Sequence, residues 1–342
     1  MNRYHLVHVT QFHYDGPVSE SYNEVRLRPL HDERQSCLSF RLRTQPGSQI
    51  TSYHDAFGNW VHQFNVLPEH RQLSIEAESV VLSHNGGSPV EDGTTLESLD
   101  ARRQLLFEDY FDFIAPTAYV PRLPTLEEMR QVAERASDGT VLGFVRAASE
   151  LIHQRFQYVK GATHVHSSIA DSLQLGAGVC QDFAHLLLGL VRGRGLPGRY
   201  VSGYLTPRSA GEASSSVEEV IGGQASHAWV EVYLPASGWI GLDPTLGEPV
   251  GERHVRVAYG RDYGDAAPVR GVYKGHAGQS LSVDVRVRPA LDDDGHEQIR
   301  ESSAIEAAAP IAERPQQPVQ QQQQQQQELA VTASQSERAS SA

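Results

Sequence analysis

Gly178-Val-Cys-Gln-Asp-Phe-Ala-His-Leu-Leu-Leu-Gly-Leu190 is a glycine-rich approach that delivers one cysteine to the start of an apolar helix. Gly176 and Gly178 permit a tight turn. Phe183, Leu186, Leu187, Leu190 and Val191 then recur at the three-and-four spacing of a buried helical face, which predicts a helix ending by Gly193 or Gly195, with Pro197 beyond. A thiol in the first turn of such a helix meets unpaired backbone N–H groups and the positive end of the dipole, both of which favour a thiolate. The same N–H groups can hold the oxyanion of an acyl-transfer intermediate. Cys180 is therefore a candidate nucleophile, and the alternative is a buried structural cysteine.

Downstream, Arg199 to Leu205 reads as a strand, and Pro207 to Gln224 is a Ser/Gly/Glu loop with no apolar period. Ser226 to Leu234 alternates, with His227, Trp229, Glu231 and Tyr233 on one face and Ala228, Val230, Val232 and Leu234 on the other. Pro235-Ala-Ser-Gly238 turns the chain, and Trp239 to Pro244 returns, so one hairpin carries both His227 and Asp243. Residues 254–259 and Leu281-Ser-Val-Asp-Val-Arg-Val-Arg288 are expected as two later strands that complete the sheet. Upstream, Thr125-Leu-Glu-Glu128 fits a capping box opening a helix to about Ala136. A second helix, from about Thr140 to Phe156, carries Val141, Phe144, Val145, Ala148, Leu151 and Ile152 on one side and should pack beside the cysteine helix.

Before these helices the periodicity is two. Residues 4–14, Val25-Arg-Leu-Arg28, Leu38 to Arg43, Trp60 to Val66 and Leu73 to Leu82 alternate as half-buried antiparallel strands do, with turn chemistry at Asp55-Ala-Phe-Gly-Asn59. The expected class is α+β: an N-terminal antiparallel β-domain over 1–85, a helical connection over 86–160, a catalytic core over 161–289 and a disordered tail over 290–342 that contains the run Gln320 to Gln327. Punctuation at His84-Asn-Gly-Gly-Ser-Pro89 marks the first boundary.

Chemistry at a cysteine needs a base to take its proton and a third group to orient that base. Cys180, His227 and Asp243 supply these types in order, with His227 opening one strand of the hairpin and Asp243 ending the other. Gly-Val-Cys-Gln-Asp-Phe-Ala-His, Pro-Gly-Arg-Tyr-Val-Ser-Gly-Tyr-Leu, His-Ala-Trp-Val-Glu-Val-Tyr and Gly-Trp-Ile-Gly-Leu-Asp-Pro-Thr together resemble the bacterial transglutaminase-like family. The resemblance is strong over about 150–250. It extends to that family's N-terminal β-domain and, at Gly260-Arg-Asp-Tyr-Gly-Asp and Pro268-Val-Arg-Gly-Val-Tyr, to its C-terminal signature. It implies a papain-like core, a triad at Cys180, His227 and Asp243, and thioester chemistry on amides with water or an amine as acceptor. Hydrolysis is the favoured outcome, with transamidation of protein glutamine and a catalytically silent peptide-binding module as the alternatives.

Other polar residues are weaker candidates. His164-Val-His166 lacks nearby acidic or cysteine ligands, so neither a metal nor any other cofactor is expected. Asp182 and His185 share the cysteine helix, where Asp182 stabilises the helix start. Cys37, beside Leu38 and Phe40 on a strand, reads as structural.

A formal net charge of −13 over 342 residues, without a Lys/Arg cluster, excludes nucleic acid and anionic membrane as expected partners and leaves a protein or peptide substrate. The N-terminal stretch lacks the apolar core of a signal peptide, and no run of ~18 apolar residues occurs. The expectation is a cytoplasmic protein in which both cysteines stay reduced.

Overall fold

The computed structural model describes residues 2–84, 92–164, 167–206, 208 and 226–290. The expected domain boundary after His84, most of the long Ser/Gly loop, His166 and all but the first residue of the Gln-rich tail lie outside the described residues.

The chain opens with β1 (Asn2–Val25), β2 (Gln35–Gln45), β3 (Thr51–His54), β4 (Trp60–Val66) and β5 (His70–Ser83). β1 alternates buried and half-exposed residues along 24 positions and changes partners part-way. Its first half pairs with β5, its second half with β4, and the register shifts between His13 and Val18. Val25 ends β1, so Arg26 to Arg28 run on beyond the strand that their alternation suggested. There Arg28 stacks over the Trp60 ring at 4.2 Å, which replaces ladder pairing with a cation–π contact. Tyr14, Val18, Phe64, Leu73 and Ile75 fill the space between the two halves.

Helices follow: α1 (Leu96–Asp109), α2 (Phe111–Ile114), α3 (Pro124–Ala136) and α4 (Val141–Arg155). Thr140 caps α4, accepting from Gly143 N at 2.9 Å. α3 departs from its expected start. Its N-cap is Leu123, with no side-chain cap, and Pro124 sits in the first turn. Proline suits that place because its missing N–H would have had no helical partner, and Thr125 is displaced into the helix. Glu127 in the first turn pairs with Arg130.

Next come β6 (Gln157–Tyr158), α5 (Ile169–Leu175), β7 (Ala177–Gly178) and α6 (Cys180–Gly193), the helix read from the sequence. Phe183, Leu186, Leu187, Leu190 and Val191 join Phe144, Val145, Ala148 and Ile152 of α4 in one buried cluster, so the two helices do pack together. β8 (Gly198–Leu205), β9 (His227–Leu234), β10 (Gly238–Asp243), β11 (Glu248–Pro249) and β12 (His254–Gly260) form an antiparallel sheet in the order β11-β10-β9-β8-β12. Ala228, Val230, Val232 and Leu234 of β9 face the helical cluster. Tyr204, Val255 and Val257 pack instead against Leu6, Val81 and Val285 of the first sheet. With both faces covered, β9 is buried almost end to end.

A short α7 (Tyr263–Ala266) precedes β13 (Val269–Lys274) and β14 (Gln279–Pro289). Of the two strands expected to complete the second sheet, residues 254–259 do so as β12, whereas Leu281 to Arg288, within β14, does not. β13 and β14 both pair antiparallel with β1, β13 along its second half and β14 along its first, from Tyr4 opposite Pro289 to Tyr14 opposite Gln279. The physical reason is a shared apolar face: Val283, Val285 and Val287 pack on the same patch as Leu6 and Val81.

Candidate active site

Cys180 begins α6, half-buried, and the backbone before it is held from two sides. β6 pairs in parallel with β7, Tyr158 opposite Gly178, and Val159 N donates to Gly178 O at 3.0 Å. Asp182, 2% exposed, accepts from Val179 N at 2.8 Å and from the Thr163 hydroxyl at 2.5 Å. Its carboxylate thus fastens the turn that presents the sulfur, the stabilising role its place in the first turn suggested. Gly178 allows that closure, because a Cβ there would lie 2.7 Å from Asp182 Oδ2. His185 does not join Asp182. Its buried Nε2 accepts from Tyr263 N at 3.2 Å, tying α6 to α7, and burial reinforced by Arg192 pushes the ring down to about 3.

The hairpin brings in the other two candidates. Leu242 pairs with Val230, which sets Asp243 opposite Trp229 and diagonal to His227 on the same face. His227 Nε2 and Asp243 Oδ2 lie 2.5 Å apart, both side chains fully buried. Oδ1 of the same carboxylate accepts from Thr245 N at 2.9 Å and Leu246 N at 3.2 Å. His227 Nδ1 is buried and has no hydrogen-bond partner among the described residues, and the Cys180 thiol is near enough to raise the ring's proton affinity. Burial by itself would lower the His227 pKa. The Asp243 charge and hydrogen bond, with the smaller effect of Cys180, outweigh it and push the ring up to about 10. Asp243 is moved the opposite way: its burial is outweighed by His227 and His254, which hold the carboxyl well below the usual carboxylate range.

His254, which nothing in its sequence neighbourhood singles out, is the fourth member of this group. Its Nε2 lies 3.1 Å from Asp243 Oδ2, and it is 2% exposed at the side chain. The ligand-type atoms of His227, Asp243 and His254 fall within 4.8 Å of one another, a spacing met in metal sites. Gly251 N donates to His254 Nδ1, which puts that ring's proton on Nε2 toward Asp243 and leaves the nitrogen no lone pair for a cation. Of the His164-Val-His166 pair only His164 is described. Its backbone N donates to Ser167 Oγ at 2.9 Å in a local turn. Cys37 is half-buried on β2, its thiol donating to Ser39 O at 3.4 Å, and burial raises its pKa.

The aromatic residues near the site are committed to packing. Trp229 is fully buried and meets His254 edge-on at 5.1 Å. Tyr204 hydrogen-bonds His8 at 2.9 Å across the two sheets. Tyr233 packs at a tilt on Tyr110 and meets Trp239 edge-on. Tyr158 is closer to the chemistry. It is half-buried beside Cys180, which helps burial raise its phenol. A cleft of about 690 Å³, lined by Leu126, Arg130, Gly189, Arg192 and Gly193, opens at the far end of α6. At 1.5 Å per residue, roughly 20 Å of helix separates that end from the sulfur, so the cleft is not where a substrate meets Cys180.

The chain is similar to known proteins over most of its length. Residues 4–82 match the bacterial transglutaminase-like N-terminal region, and residues 130–244 match the transglutaminase-like superfamily. An uncharacterised protein of Mycobacterium leprae is 34% identical over 288 residues, covering 84% of this chain and 99% of its own length. One from Mycobacterium tuberculosis is 31% identical over 319 residues, covering 86% and 95%. A protein-glutamine gamma-glutamyltransferase of Pseudomonas aeruginosa is 31% identical over 99 residues, which is 27% of this chain and 14% of that protein. Among solved structures, a candidate cysteine protease from Cytophaga hutchinsonii superposes with a TM-score of 0.62 at 22% identity, covering 85% of this chain and 92% of that one, a likeness of fold.

Proposed function

This chain belongs to the transglutaminase-like superfamily, and from that premise we propose that it is a cysteine acyl-transfer enzyme acting on amide or peptide bonds through a thioester on Cys180. The observation that carries the proposal is the buried His227–Asp243 pair at 2.5 Å, with His227 Nδ1 left free on the side of Cys180. An imidazole whose proton affinity is raised by Asp243 is suited to take the thiol proton on Nδ1.

The steps follow from that proton. Sγ attacks the carbonyl carbon and pushes an electron pair onto oxygen, which a backbone N–H at the very start of α6, ahead of Asp182, receives. The carbon–nitrogen bond then breaks as Nδ1–H gives its proton to the departing amine, leaving a thioester and a neutral His227. Water yields a proton to Nδ1 and its oxygen attacks the thioester; the sulfur leaves as thiolate. Asp243 holds the ring in one orientation throughout.

Water is the proposed acceptor. An amine route needs a dry aromatic channel to the sulfur. Trp229, Tyr204, Tyr233 and Trp239, the residues best placed in sequence to build one, are taken up in packing. A cytoplasmic setting, where both thiols stay reduced, fits the same proposal. The test incubates the full chain and a Cys180→Ala variant with a quenched peptide library and, in parallel, with a glutamine-containing protein and a fluorescent primary amine. Peptide cleavage lost in Cys180→Ala is expected. Amine incorporation without cleavage would replace hydrolase by transglutaminase, and neither activity would leave a peptide-binding module.

A further inference from the structure

We propose that His254 is a positioning residue of this site: it donates from Nε2 to Asp243 Oδ2, takes a share of that carboxylate's charge, and so keeps His227 able to release its proton to a leaving amine. The inference rests on the proposed Cys180–His227–Asp243 chemistry and adds a residue to it.

Three observations carry it. The first is the tautomer. Gly251 N donates to His254 Nδ1 at 3.2 Å, so Nδ1 is an acceptor, and the ring proton must lie on Nε2, pointing at Asp243 Oδ2 3.1 Å away. The second is the placement. His254 starts β12, which is separated from β10 by β8 and β9, so strand pairing alone would not bring it to Asp243. Gly203 lies between. A Cβ there would come 2.5 Å from the Trp229 ring and 2.1 Å from Val255 O, so the missing side chain is what lets Trp229 and His254 close over β8. The third is saturation. Asp243 Oδ1 already holds Thr245 N and Leu246 N, which fix the carboxylate against rotation and leave Oδ2 to serve two imidazoles.

Because the carboxylate is fixed through Oδ1, removing His254 acts mainly on charge. Asp243 would then spend all of Oδ2 on His227, bind the imidazolium more tightly, and make it a poorer acid toward the leaving group. Among the described residues, the ionisable groups that perturb His227 are Asp243 and Cys180, and the imidazoles that perturb Asp243 are His227 and His254.

The experiment is histidine-labelled NMR on the full chain, with iodoacetamide alkylation of Cys180 in parallel. Wild-type nitrogen shifts should report His254 as the Nε2–H tautomer. His254→Phe, which keeps a ring and removes the donor, should move the His227 titration up by about half a unit or more. His254→Gln, whose amide can still donate to Oδ2, should bring it back to the wild-type position. An Nδ1–H tautomer or an imidazolium at His254 in the wild type at neutral pH overturns the proposal, as does an unmoved His227 titration in a folded His254→Phe protein. If that variant does not fold, the wild-type tautomer and the Gln variant decide. A wild-type Cys180 no more reactive than Cys37 would sink the acyl-transfer proposal while leaving the His254 result to stand by itself.

Discussion

Two thiols in one chain give an internal comparison. The Cys37 thiol is pushed up by burial and bonded to a carbonyl, while Cys180 sits at a helix start beside a protonated imidazole. Brief sub-stoichiometric alkylation near neutral pH should label Cys180 at least about tenfold faster, read by peptide mapping. Preferential labelling of Cys37 would remove the basis for a nucleophile at 180. The His227–Asp243 pair makes a second prediction, in stability. His227 is raised from 6.5 to about 10, so its contribution is complete below about 6.5 and fades as pH climbs toward 10. Asp243 is lowered from 3.8, so its contribution is present above that value and is lost as pH falls through the folded pKa. Both describe one ion pair and count once. The unfolding free-energy difference between wild type and Asp243→Asn should be widest at roughly pH 4 to 6.5 and narrow in alkali; a difference independent of pH would contradict the pairing. His227 and Asp243 were readable because the hairpin puts both at one end. His254 was not, since a lone histidine heading an alternating strand carries no sign of a partner lying beyond two intervening strands.

Helix α6 was the most legible element, because its apolar spacing, glycines and following proline all agree. α1 was missed for the opposite reason. Only Leu99 and Leu106 of its fourteen residues are buried, while Leu105 and Phe107 face outward, so no apolar stripe forms. α5 was also unread, although Ser168 and Asp171 make a reciprocal capping box, because seven residues show too little period. The start of α3 shows proline overriding a Thr-x-x-Glu pattern. What positions the sulfur is the fastening of α6 by Asp182, and that gives a prediction at this scale. Asp182→Ala removes the acceptor of Val179 N and leaves the Thr163 hydroxyl without a partner. A loss of about 1–2 kcal/mol in denaturant unfolding is expected, with slower Cys180 alkylation under native conditions. Unchanged alkylation would show that the turn holds its shape without the carboxylate.

At the scale of the whole molecule, the two sheets are joined by a buried charge cluster as well as by apolar packing. Glu231 on β9 is fully buried and receives Arg199 at 2.5 Å, Arg256 at 3.2 Å and, from between β1 and β2, Arg34 at 3.8 Å. Arg256 also reaches Asp32 at 2.5 Å, and Arg199 lies over Tyr259 at 3.9 Å. Burial opposes the Glu231 charge, but the arginines hold its carboxyl below the usual value. Replacing it by Gln would strand buried guanidinium groups, and a loss of about 3–5 kcal/mol is expected in equilibrium unfolding. A shift under about 1 kcal/mol would mean that water reaches the cluster. No helix among the described residues is long and apolar enough to cross a membrane.

The pairing of β1 with β13 and β14 has a consequence for synthesis on the ribosome. β1 precedes every other described element and β14 follows them all, so one flank of the earliest strand stays bare until the latest has emerged. Throughout that interval the nascent chain shows a long alternating edge able to pair with any passing strand. Chains stopped before Val269 should therefore aggregate or be retained by chaperones, whereas chains released after Ala290 carry their own cover. The early strand is thus covered, during synthesis, by strands that carry none of Cys180, His227 or Asp243.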